Sequence, residues 1–285
     1  MGEDMTYTRL RASKSDGVAH IELSCPEEFN RMPPAFWEEF PAAVAEMDAD
    51  GDARVLVLSS TGKHFSSGMD LKVFTDAPPP TTRDRGRLGE AGVRRIARAQ
   101  DAFNGLEDMR IPVIAAIQGG CIGGGMDMVA ACDIRYCTAD AFFCIQEINI
   151  GLAADVGTLQ RLPLLMPDGL MRELAYTGRR MYAEEAKEVG LVNAVFETHE
   201  SMLETVRGIA RQIAGKSPLA VTSTKHLLNY GRDHGVRETL AYQQVWMGAV
   251  SHGGDMAKYF EAKSRGEEAE YEDLTPRGRG EGVGS

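Results

Sequence analysis

Short apolar runs alternating with helix-spaced stretches limit most tightly what this chain can fold into. Runs at 18–23 (VAHIEL), 55–58 (VLVL), 112–117 (PVIAAI), 134–137 (IRYC) and 142–145 (FFCI) have the length and composition of buried strands. Between the first two, Phe36, Phe40, Val44 and Met47 recur at helical spacing over 34–47, and Pro41 inside that pattern predicts a kink or a late start. Residues 89–109 read as a second helix and 127–132 as a short third one. Strands separated by helices at this rhythm predict an α/β fold with crossover connections. From about Met202 the pattern turns helical, with Leu203, Val206, Ile209 and Ile213 on one face, and further helices are expected at 217–230 and 236–250. The division expected is therefore a core at 1–201, a helical region at 202–265 and a flexible, solvated tail at 266–285.

The bulk properties exclude several classes of function. With 285 residues, 43% of them hydrophobic, the chain can bury a large core. A net charge of −11 opposes a nucleic-acid partner, because neutralising phosphates needs a dense basic surface. No apolar stretch approaches the roughly 20 residues that span a bilayer, and 1–17 lacks the apolar centre of a signal peptide. Five cysteines (Cys25, Cys121, Cys132, Cys137, Cys144) are odd in number and form no CxxC pair, as in a protein of a reducing compartment, and a cytoplasmic location is expected. The six histidines show no metal-ligand spacing, so no metal is expected.

Three carboxylates stand out against this background. Asp127, Glu147 and Asp155, at offsets of 147 − 127 = 20 and 155 − 147 = 8, lie in the apolar, glycine-rich stretches 119–131 (GGCIGGGMDMVAA) and 142–162 (FFCIQEINIGLAADVGTLQRL). Desolvating a carboxylate costs several kcal/mol unless it is paired or neutralised, so three of them here predict a pocket in which shifted pKa values move protons. The competing reading is that each caps a helix or pairs with an arginine such as Arg135 or Arg161. Residues 119–125 hold five glycines in seven positions, which allows close approach of backbone to a ligand and free N–H groups at a helix start. A second loop at 65–70 (FSSGMD) stands ready to supply an opposing N–H. A phosphate loop is excluded, since no Gly-Lys-Ser/Thr follows. Ser66 and Ser67 have no recognisable base and fit loop hydrogen bonding, and His64 fits loop packing.

The segments HFSSGMDL, GGCIGGGMD, IRYC and QEINIGLAADVGTLQRLP resemble the enoyl-CoA hydratase/isomerase (crotonase) superfamily, and the likeness covers about 17–262. Its hydratases carry two glutamates at the positions of Asp127 and Glu147 and a glycine at that of Asp155. The Asp–Glu–Asp set, together with STKHLLNYGRDHGV at 223–236, resembles the dienoyl-CoA isomerase branch. The resemblance implies a crotonase (ClpP-like) spiral of ββα units with a C-terminal helical trimerisation region. It implies an acyl-CoA thioester substrate, no separate cofactor, and a homotrimer or homohexamer. It also implies catalytic roles for Asp127, Glu147 and Asp155, and an oxyanion hole formed by the N–H groups of Met69 and Gly124. Substrate contacts are implied at Ser66, Ser67, Gly68 and Asp70, and at Phe260 and Lys263, which match positions that hold the CoA adenine and 3′-phosphate. A plain surface helix is the competing reading for that last pair. The activity expected is the shift of a 3,5-dienoyl-CoA to the 2,4-isomer. Enoyl-CoA hydration, or a catalytically idle fold that binds RNA or protein, are the alternatives. The stretch RMPP at 31–34 departs from the family, where a polar helix start is commoner.

Overall fold

A computed structural model describes residues 5–76, 82–250 and 253–277. The chain opens with an antiparallel meander, β1 (Met5–Thr6), β2 (Leu10–Ser15) and β3 (Val18–Leu23), in which Leu10 faces Leu23 and Ala12 faces Ile21. The two-residue turn joining β2 to β3 places Asp16 and Gly17 at φ 52° and 74°, the backbone hand that matches strand twist. Helix α1 (Phe36–Met47) then leads to β4 (Val55–Ser60). It does not start late at Pro41: Phe36, Phe40, Ala43, Val44 and Met47 are all buried, and that face outweighs the one backbone bond the proline removes.

The short α2 (Lys72–Thr75) is followed by the long α3 (Arg85–Asp108) and by β5 (Val113–Ile117). Helix α3 begins four residues before the expected Gly89, because the Asp84 side chain accepts the Arg87 amide at 2.8 Å and caps the first turn. The polar, proline-rich stretch 76–87 (DAPPPTTRDRGR) reads in sequence as a mobile loop, but it is helical from Arg85, and 77–81 lies outside the described residues. Next come β6 (Gly120–Ile122), α4 (Gly124–Ala130), β7 (Ile134–Thr138) and β8 (Phe142–Cys144). After the short α5 (Thr158–Arg161) come α6 (Asp168–Thr177), β9 (Met181–Tyr182), α7 (Ala183–Glu188) and β10 (Ala194–Phe196).

Seven strands form one sheet in the order β1-β2-β3-β4-β5-β7-β10, parallel from β3 onward, and β6-β8-β9 form a second. Every residue of β4 and β5 is buried, as expected of parallel strands covered on both faces. On one face of the large sheet lies the main core, including Phe36, Phe40, Phe103 and Leu106 of α1 and α3. On the other lies α8 (His199–Ala214), whose Met202, Val206, Ala210 and Ala214 pack on Val55, Val57, Ile114 and Ala116. The expected boundary at 201/202 thus falls inside α8, which starts at His199 because Thr198 and Ser201 form a reciprocal cap. Its apolar stripe is covered by the chain's own sheet.

Helices α9 (Pro218–Asp233), α10 (Val236–Ala249) and α11 (Gly253–Arg265) complete the C-terminal region. The tail is not solvated throughout. Leu274 is buried, its amide and that of Arg277 donate to Gly51 and Ala49 carbonyls, and the Arg277 guanidinium meets Asp48 at 3.2 Å. Residues 278–285 lie outside the described residues. Among the described residues, no helix is long and apolar enough to cross a membrane.

Candidate active site

Two glycine loops are zipped side by side above the sheet. Phe65 and Ser66 donate to the Gln118 and Gly120 carbonyls at 2.8 and 3.1 Å, and the Ile122 amide returns a bond to Ser66 at 3.0 Å. Gly68, at φ +81°, lies so close that a side-chain carbon there would come within 2.6 Å of the Ile122 oxygen. Only glycine admits that contact. The same atom would stand 3.2 Å from the Gly124 nitrogen, and one placed on Gly124 would stand 3.8 Å from the Met69 nitrogen. The Met69 and Gly124 amides therefore converge, the latter at the first residue of α4, and neither has an acceptor among the described residues. Two neighbouring N–H groups without an acceptor, one of them at a helix start, are able to donate to an anion.

Asp127 sits in the first turn of α4, fully buried. One oxygen accepts the Thr158 amide at 2.7 Å and so caps α5; the other has no partner. Burial pushes its pKa up to about 6, against the Thr158 bond, with Asp155 adding to the rise and Arg161 opposing it. Glu147 is half-buried, at the start of the 3₁₀ turn Glu147–Ile150, with one oxygen against Gly123 and the other unpartnered. Burial first, then the charges of Asp127 and Asp155, push it up to about 7. The arginines do not pair with these acids. Arg135 donates to the carbonyls of Leu191, Val129 and Cys132, and Arg161 to Asn104 and Glu107.

Asp155 departs from the expectation of three buried acids. It is exposed, on the irregular segment between Gly151 and Thr158: Ala154 and Val156 on either side of it turn into the core, and the side chain between them faces outward. Its carboxylate has no partner among the described residues, and its main-chain oxygen accepts the Gln100 side chain at 2.7 Å. It nevertheless stands close enough to raise both other acids, so the three share one electrostatic field.

The remaining expected residues divide by what their side chains already do. The Ser66 hydroxyl is buried, donating to the Asn30 carbonyl at 2.8 Å and accepting the Gly68 amide at 3.1 Å; it shapes the loop and is not free for substrate. Asp70 accepts the Lys72 amide and meets Arg31 at 3.2 Å, again a loop-shaping role. Ser67 is half-buried and its amide holds the Phe29 carbonyl. His64 accepts the Gly120 amide at 2.9 Å, which fits loop packing. Phe260 and Lys263 are both exposed on α11, and no hydrogen bond or ion pair joins them to the acids or the glycine loops among the described residues. Among the described residues no cluster of three or more His, Cys, Asp or Glu side chains can hold a metal ion.

Sequence reasoning missed Met32, Thr158 and Gln100. Met32, in the RMPP departure, is fully buried, pairs through its backbone with Gly68 and Asp70, and places its sulfur beside Gly124. A methionine between Arg31 and Pro33 carries no signal of that position.

Over residues 13–262 the sequence matches the family described as enoyl-CoA hydratase/isomerase. It is 43% identical over 268 residues to the human protein named Delta(3,5)-Delta(2,4)-dienoyl-CoA isomerase, mitochondrial, an alignment covering 93% of this chain and 82% of that one. It is 42% identical to the peroxisomal protein of the same name from Arabidopsis thaliana, over 88% and 91% of the two chains. Among solved structures, an enoyl-CoA hydratase from Bacillus anthracis superposes with a TM-score of 0.83 at 28% identity, covering 93% of this chain and 99% of that one.

Proposed function

Since the chain belongs to the enoyl-CoA hydratase/isomerase family, we propose that it is the isomerase that converts 3,5-dienoyl-CoA to 2,4-dienoyl-CoA in fatty-acid β-oxidation. The observation that carries this reading is the third carboxylate, Asp155, whose main chain Gln100 holds on the segment between Glu147 and the Asp127-bound Thr158, within electrostatic reach of both acids. Hydration needs two acids around one water at adjacent carbons. Isomerisation removes a proton at C2 and adds one at C6, four bonds away, a separation on the order of 5 Å for bonds of about 1.5 Å. One side chain serves both ends poorly, and a second carboxylate along the acyl channel answers that need.

In this reading Glu147 takes the C2 proton, with its pKa near the working pH as a general base requires. The thioester oxygen gains charge and rests between the Met69 and Gly124 amides. The electron pair delocalises along the diene and takes a proton from Asp155 at C6; the proton left on Glu147 then returns by way of solvent to Asp155, which resets both acids for the next turnover. Asp127 is left to hold α5 and to raise Glu147. The shift changes no oxidation state, and CoA arrives as part of the substrate, so no cofactor is called for.

Because the oxyanion donors are backbone groups, Met69→Ala is expected to keep turnover. Gly124→Pro deletes an N–H at the first helical position, where proline is tolerated, and is expected to lower kcat by 10²–10³. Circular dichroism at the wild-type value, together with that loss, checks the assignment; a folded Gly124→Pro protein of normal turnover removes these amides from the mechanism.

A trimer or a dimer of trimers is part of the proposal. Helix α10 has no buried residue, and Val236, Leu240 and Met247, on one side of it, remain 77%, 54% and 43% exposed, an apolar face that a second copy would cover. Phe260 and Lys263 would then hold the CoA nucleotide at a subunit boundary. Light scattering should give a trimeric or hexameric mass, and a monomer at micromolar concentration would contradict it. A cytoplasmic location rests on the five free, buried thiols, while the human and Arabidopsis relatives carry mitochondrial and peroxisomal in their names.

The substrate choice is tested by rates on two thioesters. A 3,5-dienoyl-CoA should be converted with growth of conjugated-diene absorbance, far faster than a 2-enoyl-CoA is hydrated. The reverse order would favour hydration, and inertness toward both would favour an idle fold.

A further inference from the structure

Asp155 rides on a segment held by the buried side chains of Ala154 and Val156 and by few backbone hydrogen bonds. Leu152 is tied to the Glu147 carbonyl at 2.9 Å and Thr158 to Asp127 at 2.7 Å. Between those two points, the Gly157 carbonyl accepts the Gln160 and Arg161 amides at 3.2 and 3.0 Å, and residues 153–156 receive one hydrogen bond from outside the segment among the described residues, from the Gln100 side chain to the oxygen of Asp155 itself. Gln100 does not stand alone on α3. Asn104 and Glu107, one and two turns further on, accept from the Arg161 guanidinium at 2.7 and 2.6 Å.

Arg161 in turn lies flat against Gly157, where a side-chain carbon would come within 1.9 Å of its Nη1. The far end of the stripe is anchored as well. Glu107 also receives Arg232 of α9, its carbonyl accepts Asn229 at 3.2 Å, and the neighbouring Leu106 carbonyl accepts Lys225 at 2.9 Å. One polar stripe of α3 thus meets the acid-bearing segment at Asp155 and, through Arg161, at Gly157, and is itself braced by α9.

We propose that Gln100, backed by Asn104 and Glu107, is a positioning residue for Asp155: it sets where the far-end carboxylate stands, and so governs proton delivery at C6 without touching substrate. This rests on the isomerase reading for its chemical consequence, though not for the tether itself. Loss of the tether slows the second proton transfer and leaves the first, at Glu147, alone. A residue with only a structural role would slow both together.

Gln100→Glu keeps the shape of the side chain, removes the N–H donor and turns a carboxylate toward the Asp155 carbonyl; Gln100→Leu removes the donor without adding charge. In both variants isomerisation, read by diene absorbance, is expected to fall about 10- to 100-fold, as for a misplaced catalytic group. Exchange of the C2 proton with solvent deuterium is expected to stay within about twofold of wild type. A fall of equal size in both rates, or in neither, overturns the proposal. Hydrogen–deuterium exchange of 152–157 in the ligand-free protein reads the tether with no substrate present. About fivefold faster exchange in Gln100→Leu is expected, the weight of one hydrogen bond; unchanged exchange overturns the tether even if the isomerase reading stands. Inertness of the wild type toward the dienoyl thioester, with faster exchange in the variant, would sink the functional reading and keep the tether.

Discussion

Glu147→Gln is expected to abolish both proton transfers, lowering kcat/KM for 3,5-dienoyl-CoA by up to about 10⁴. Glu147 is half-buried beside the α4 glycines, with one oxygen free of partners, and burial together with Asp127 and Asp155 pushes it up to about 7. A base must be deprotonated to act. In the wild type, kcat/KM should therefore fall about tenfold per unit below about pH 7, with Glu147 as the titrating group on that acid limb. In the variant that acid limb should vanish along with the activity, and C2 exchange with deuterium should stop. The amide keeps the shape of the side chain and removes a charge that burial disfavours, so the fold should survive. A folded variant that still exchanges the C2 proton at the wild-type rate would remove Glu147 from the mechanism.

Asp155→Asn should separate the two ends of the reaction. Isomerisation is expected to fall 10²–10⁴-fold, while C2 exchange continues because Glu147 and the converging amides remain in place. The Asp155 side chain is exposed and makes no hydrogen bond among the described residues, so its loss should leave stability nearly unchanged. That makes the variant a clean probe. Isomerisation at the wild-type rate would move hydration ahead as the activity of this chain.

Much of this site was legible as sequence because carboxylates among glycines and aliphatic residues contradict their surroundings. Asp127 proved fully buried, and the two glycine loops proved to be neighbours. The degree of burial was less legible. Apolar letters around Asp155 resemble a core segment, and Ala154 and Val156 are buried, yet Leu152 is 44% exposed and Asp155 faces outward, since an irregular segment has no fixed period by which to read each residue's face. The starts of α3 and α8 were placed late because a cap is a polar residue before the periodic pattern begins, as with Asp84 and Thr198. Gln100 left no trace, because a polar residue on an amphipathic helix looks the same whether it faces water or holds a loop. The docked tail was hidden for a related reason. A single leucine, Leu274, carries its burial within an otherwise polar stretch.

The most direct measurement follows the wild-type protein with 3,5-dienoyl-CoA in deuterium oxide, reading diene absorbance and the position of the label together. Conversion to the conjugated 2,4-dienoyl thioester with deuterium at C6 is the expected result. Absence of the conjugated product, or its appearance without deuterium entering at C6 even though C2 exchanges, would contradict a proton shift shared between Glu147 and Asp155.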